Sequence, residues 1–399
     1  MIDSKPKSNR ILSIDIMRGL TLFLMLFVND LFEPGVPAWL VHTKANVDGM
    51  GLADWVFPGF LFMVGMSIPY AFSSRMKSGE TRLKVFIHIL LRTASLLLIG
   101  VFMLNSGRLN SGLSGINRNL YSILMYVSVS LIWNQYPENR KLKKLFLGLK
   151  VLGAIGLIGL ATIFKAGEPG HITWFETGWW GILGLIGWGY LVAATASLLI
   201  GPKLLPTVVL WLTFIAINIL SQLGMLGFLN FLSPIFGVIL DGNVPMIVLA
   251  GLVVSLFLKQ SSFERGKTVG IIAAFGILSL VAGFFLRNWF IISKIYGTPS
   301  WGMICNGISM IVFAFLFWIM DIQGKTKWAA VFKPAGQNSL TTYLAPDILY
   351  FVIWGLSLPL FFYKQASSQL LAVCGSLVWA LAMVGFTALL AKINIRLKL

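Results

Sequence analysis

The chain has 399 residues, of which 57% are hydrophobic and only 11% charged, with a mean hydropathy of +0.84. Soluble domains carry about 25% charged residues, so this composition excludes a soluble globular protein and leaves no polar stretch long enough to bury a core of its own. The net charge of +17 does not mark a nucleic-acid binder, because the basic residues are distributed around long apolar segments.

A membrane-spanning helix needs roughly 20 apolar residues. Runs of that kind predict spans at 12–32, 53–73, 83–105, 118–134, 145–164, 178–200, 205–223, 243–258, 268–286, 300–320, 339–361 and 369–391. Continuous runs are unlike the alternating pattern of a barrel strand. The expected fold is therefore an all-α polytopic membrane protein with about 12 transmembrane helices (10–12), forming a single transmembrane domain over 1–399. The basic tail 1–11 precedes the first span. No small-residue cleavage site follows that span, and Asp15 and Arg18 interrupt its start, so it reads as uncleaved.

Twelve crossings put both termini on one side, and 22 of the 31 basic residues fall there. The opposite side holds seven: Lys44, Arg108, Arg118, Lys165, Arg287, Lys294 and Lys364. The basic side is cytoplasmic by the positive-inside rule, which assigns the tail and both termini to the cytoplasm. That face would also attract an anionic phosphate-bearing ligand or lipid. The longer, more polar connections, 33–52, 106–117, 165–177, 224–242 and 287–299, lie outside and suit the walls of an external site. Cys305 and Cys374 lie in apolar runs, with no disulfide or metal-ligand pattern.

The polar residues of chemical interest begin where the first span ends, at Asn29 and Asp30. His42 follows in the loop, and Asp54 opens the second span. Polar groups at the edge of hydrocarbon are costly and usually serve a substrate or an ion. An imidazole can take a proton from an amine or hydroxyl near neutral pH, or be acylated itself. Asp54 can cap its helix, orient His42, or do both. Asp15 and Arg18, one turn apart, read as a structural pair. Arg92, ten residues into the third span, is expected at a cytoplasmic cavity. His88 and His171 read as an interfacial and a turn histidine. The tryptophans 179, 180 and 188 read as an interfacial belt. In GQNSLTTYLAPDIL, Asn338, Ser339 and Asp347 form a second polar patch beside Pro346, which frees a helix carbonyl.

The segments SIDIMRGLTLFLMLFVND (13–30), the His42 loop with GLADWVFPGFLFMVGMSI (51–68), KIYGTPSW (294–301) and KPAGQNSLTTYL (333–344) resemble the heparan-alpha-glucosaminide N-acetyltransferase family, specifically bacterial members of this transmembrane acyltransferase group without a luminal domain. The resemblance implies transfer of acetyl from cytoplasmic acetyl-CoA to the amino group of a glucosamine-type acceptor on the periplasmic side. It puts the active-site histidine on His42, the asparagine on Asn29, the nearby aspartate on Asp54, and an Asn-Ser pair on Asn338 and Ser339. The acceptor is expected near Asp30, Lys294, Asn338, Ser339 and Asp347, and CoA phosphates near Arg92 and Arg18. Departures are a longer His42 loop without the family's tryptophan, Pro346–Asp347 in place of a histidine–acid pair, and extra material around 178–223. The resemblance also implies a homodimer in a bacterial inner membrane, needing no metal. From the residues alone, the alternative is an ion-coupled amino-sugar transporter using His42 and Asp54 for proton binding.

Overall fold

The computed structural model describes residues 11–399. Lys5, Lys7, Arg10 and the rest of the tail through residue 10 lie outside the described residues. In chain order the long helices are α1 (Leu12–Asp30), α2 (Leu52–Lys77), α3 (Arg82–Ser106), α4 (Arg118–Trp133), α5 (Lys143–Ile163) and α6 (Gly181–Ile200). They continue with α7 (Leu204–Gln222), α8 (Asn243–Gln260), α9 (Arg265–Leu286), α10 (Pro299–Phe317), α11 (Ser339–Gly355) and α12 (Gln369–Lys392). The chain is thus an all-α polytopic membrane protein. The loop carrying His171 is a short antiparallel hairpin, Ala166–Glu168 with His171–Thr173.

Ten helices among the described residues are long and apolar enough to cross a membrane. The expected spans 118–134 and 339–361 instead form the shorter α4 and α11, of 16 and 17 residues. Asn117 starts α4 sharply by accepting from the backbone N–H groups of Asn119 and Leu120. Both helices nevertheless join the two ends of the bundle. The start of α4 is held by Arg118 donating to the Leu109 carbonyl, and its end by Lys398 N donating to the Trp133 carbonyl at 2.9 Å. The far end of α11 runs into the 356–368 connection, which returns to the end of α1 through Tyr363 and Lys364.

Connections pair consistently by end. At one end Asn110 N donates to Lys165 O, Thr177 to Pro234 O, and Gln222 to Tyr296 O. At the other, Gln135 N donates to Arg396 O, Arg265 to Asp321 O, and Gln260 to Pro202 O.

Helices α1, α2, α8 and α10 form the buried centre, while α5, α7 and α9 expose most of their surface. The α2–α8 seam is unusually close. A Cβ on Gly65 would collide with the Val248 carbonyl, and one on Gly251 with the Phe62 carbonyl. Backbone therefore meets backbone, as small residues permit between membrane helices. Trp55 of α2 also donates to Ser309 of α10 at 3.1 Å. The helix that carries Asp54 is thus fixed on two sides.

Candidate functional site where α1 ends and α2 begins

Asp54, in the first turn of α2, is 1% exposed. Its Oδ2 accepts the backbone N–H groups of Gly51 and Thr43, both at 3.0 Å. Its Oδ1 lies 2.7 Å from His42 Nδ1. Two amide donors and the helix N-terminus favour the carboxylate anion, and an anion at 2.7 Å requires the proton on Nδ1. The other ring nitrogen, Nε2, is left with its lone pair on a side chain that is 40% exposed. Gly51 is needed for this geometry, because any Cβ there would strike the Val41 carbonyl, just before His42 in the loop. Trp301 of α10 donates to the Asp54 carbonyl at 3.2 Å and fixes the turn from behind.

A second loop, 287–298, folds onto the first. Asp48 accepts from Arg287 Nε and from the Ile292 N–H, each at 2.8 Å, and Gly49 N donates to Ile292 O. These contacts, the Ile292 N–H first and Arg287 next, hold the Asp48 carboxyl below its usual range. The stapled loop brings Lys294 Nζ to 3.2 Å from His42 Nδ1 and 3.4 Å from Nε2. Burial pushes the Lys294 ammonium below the ordinary lysine range, against the pull of Asp54. Neither Asp48 nor Arg287 is recognisable from sequence, since their partners lie more than 200 positions away.

The remaining expected residues divide into four places. Asn29 is exposed, and its side chain makes no hydrogen bond among the described residues. Asp30, expected to face the acceptor, is enclosed instead: it is 0% exposed, ion-paired with Lys364 at 2.9 Å, and accepts from Tyr363 at 2.8 Å and from Tyr350. Asp347 accepts from Tyr126 of α4 and makes no contact with Asn338, so the expected second patch is not one patch. Asn338 and Ser339 lie at the end of the bundle away from His42.

There they line a cavity of about 820 Å³. Its mouth carries Arg18, Arg92, Lys333, Arg396 and Lys398, with no acidic residue in the lining. Arg92 stacks on Tyr190 at 4.6 Å, and its buried Nε has no partner among the described residues. Asp15 pairs with Arg18 at 2.6 Å, as the sequence predicts. The deep wall is apolar and includes Leu22, Met25, Phe60 and Val64. Arg18, Leu22 and Met25 share one stripe of α1, and Asn29 is the next residue on it, about 6 Å further along at 1.5 Å per residue. On α2, Asp54 is about 9 Å beyond Phe60 by the same rise. The cationic mouth of this cavity and the His42 dyad therefore lie toward opposite ends of α1, while the apolar wall reaches to within about 9 Å of Asp54 along α2.

This arrangement defines a polytopic helical membrane protein with a carboxylate–imidazole dyad at one end and a cationic cavity at the other. Residues 10–183 match a family described as "Domain of unknown function (DUF5009)". Mouse heparan-alpha-glucosaminide N-acetyltransferase is 24% identical over 374 residues, covering 86% of this chain and 54% of the mouse protein. The human protein of the same name is 34% identical over 96 residues, 24% of this chain and 14% of its own length. The chain is related to this enzyme. It spans about half the length of the mouse relative and a smaller part of the human one.

Proposed function

We infer that this protein is a membrane acetyltransferase that takes acetyl from acetyl-CoA on the basic side of the bilayer and passes it to the amino group of a glucosamine-type sugar on the other side. The observation that carries this reading is that α1 and α2 both wall the cationic cavity, whose apolar side runs from Arg18 toward the His42–Asp54 dyad. A twelve-crossing topology with both termini cytoplasmic agrees with the pairing of the connections, and it puts the cavity inside and His42 outside in a bacterial inner membrane.

The chemistry follows from the groups available. The acceptor amine attacks the thioester carbonyl carbon, a C–N bond forms, and the C–S bond breaks. His42 Nε2 takes the amine proton and returns it to the leaving thiolate of CoA. Asp54 stabilises the imidazolium formed on the way. Asn29, on the cavity stripe, donates its amide to the carbonyl oxygen as charge builds there. The phosphates of CoA take Arg92, Arg18, Lys333 and the Arg396–Lys398 segment as partners. Acetyl transfer through an acetyl-His42 intermediate uses the same residues in two steps, Nε2 acting as nucleophile.

The test is transfer of labelled acetyl from acetyl-CoA to glucosamine by purified protein, with His42→Ala alongside. Product from the wild type alone, with acetyl-CoA binding retained in both, supports the reading. Neither binding nor transfer by the wild type overturns it in favour of an ion-coupled amino-sugar carrier.

A further inference from the structure

A second, larger cavity of about 1460 Å³ opens at the same end of the bundle as the first, on the other side of Arg18, which lines both. Lys77 at the end of α2, Lys259 at the end of α8 and Arg265 at the start of α9 line it. So do two carboxylates, but both are engaged within the protein. Asp15 pairs with Arg18, and Asp321 accepts the first two backbone N–H groups of α1, from Leu12 and Ser13, each at 3.0 Å. The cations are not matched in the same way. Lys259 donates to Ser73 and to the Pro69 carbonyl, and Arg265 to the Asp321 carbonyl, all neutral acceptors. Lys77 makes no ion pair among the described residues.

Three cations from three elements thus line a cavity in which no carboxylate among the described residues is free to answer them. The same lining is partly apolar, with Ile14, Leu258, Phe263 and Phe317. The rim also contains a five-residue π-helical turn, Trp318–Ile322, which carries Asp321. Such turns are rare and concentrate at functional sites.

We propose that this cavity is a second anion site, separate from the acetyl-donor cavity, that binds a phosphate group attached to an apolar body. Basic pockets between membrane helices on the cytoplasmic side take phospholipid headgroups in this way. A soluble phosphate ester offers the same anion without the acyl chains. The cations and the Phe263 wall together favour a ligand with both parts.

The test uses delipidated full-length protein and measures thermal midpoint and binding against three probes: nanodiscs containing phosphatidylglycerol, nanodiscs of phosphatidylcholine only, and inorganic pyrophosphate. The comparison variant carries Lys77→Gln, Lys259→Gln and Arg265→Gln, and Lys259→Gln alone guards against a folding defect in the triple change. Stabilisation by phosphatidylglycerol, reduced at least tenfold in affinity by the substitutions, supports a lipid ligand. Stabilisation by pyrophosphate with the same sensitivity supports a soluble one. A wild type indifferent to both anions, or a response that survives the substitutions, overturns the site. Acetyl-CoA affinity should be unchanged in these variants; if it falls in parallel, the cavity belongs to the donor site and the proposal fails. The proposal does not depend on the acetyltransferase reading, because the lipid and pyrophosphate measurements need no turnover.

Discussion

Lys294 lies over the imidazole of His42, not beside it. Its Nζ is 3.2 Å from Nδ1 and 3.4 Å from Nε2. An in-plane position equally near both nitrogens would press on the carbon between them, so the ammonium must sit above the ring face. It leaves the Nε2 lone pair open in the plane and adds a cation where an acceptor would approach. On the acetyltransferase reading, Lys294→Met is expected to lower acceptor kcat/KM about tenfold while leaving acetyl-CoA affinity unchanged, because the cations proposed for CoA line the other cavity and Lys294 does not. Steady-state kinetics beside donor calorimetry would check the split, and an equal loss of donor binding would contradict it.

Asp54→Asn keeps the shape of the turn but removes the anion that holds the proton on Nδ1. Activity is expected to fall about 10²–10⁴-fold. An Asp54→Asn rate within threefold of the wild type would mean that His42 is not a base oriented by this carboxylate.

At the donor end, Arg92→Gln should weaken acetyl-CoA binding about tenfold, since a charge-assisted contact to phosphate is worth roughly 1.5–3 kcal/mol. Among the described residues the buried Nε of Arg92 has no hydrogen-bond partner to lose, and only the stacking on Tyr190, worth roughly 0.5–2 kcal/mol, is given up, so the thermal midpoint should move only modestly. A large fall in stability without loss of donor affinity would make Arg92 structural.

Removing Lys364 is a different kind of change. Lys364→Met leaves Asp30 fully buried with only tyrosine donors, and breaking a buried pair from one side costs on the order of 3 kcal/mol. The double variant Asp30→Asn/Lys364→Met should recover much of that loss. Thermal unfolding of the three variants gives the comparison. Strictly additive effects would show that the two side chains do not act as a pair.

The Asp48 staple has a defined pH window. Its carboxyl is held below the usual carboxylate range, so the stabilisation is complete above about pH 4 and lost as pH falls through the lowered value. Because the pair is partly exposed, its worth is at most about 1 kcal/mol. Hydrogen exchange at Gly49 and Ile292 should therefore be flat from pH 7 to 5, after correction for intrinsic rates, and should rise below pH 4. Asp48→Asn should show the faster exchange throughout.

The dyad was legible in the sequence because His42 and Asp54 are separated by one loop, and a carboxylate at a helix start has few orientations. The fold class was legible for a similar reason, since each span is a local property. What escaped was long-range. Asp30 reads as a neighbour of Asn29, but successive helix residues point about 100° apart. That turn carries Asp30 away from the cavity stripe and into the 356–368 connection, more than 300 positions away. Asn338 and Asp347 likewise share a motif in the sequence while serving different packing faces of α11. The apolar run at 339–361 continues past Gly355 without a break in hydropathy, so the end of α11 is set by a turn that hydropathy does not register.

The contact of Gly65 and Gly251 with the facing backbones bears on how anything could pass through this protein. Two helices that touch carbonyl to Cα cannot slide or rock without lifting apart, because no side-chain layer exists to repack at an intermediate position. A carrier must show its site first to one compartment and then to the other. The helix bearing Asp54 is held to its neighbour at this crossing, so any movement of the site would have to carry α8 with it.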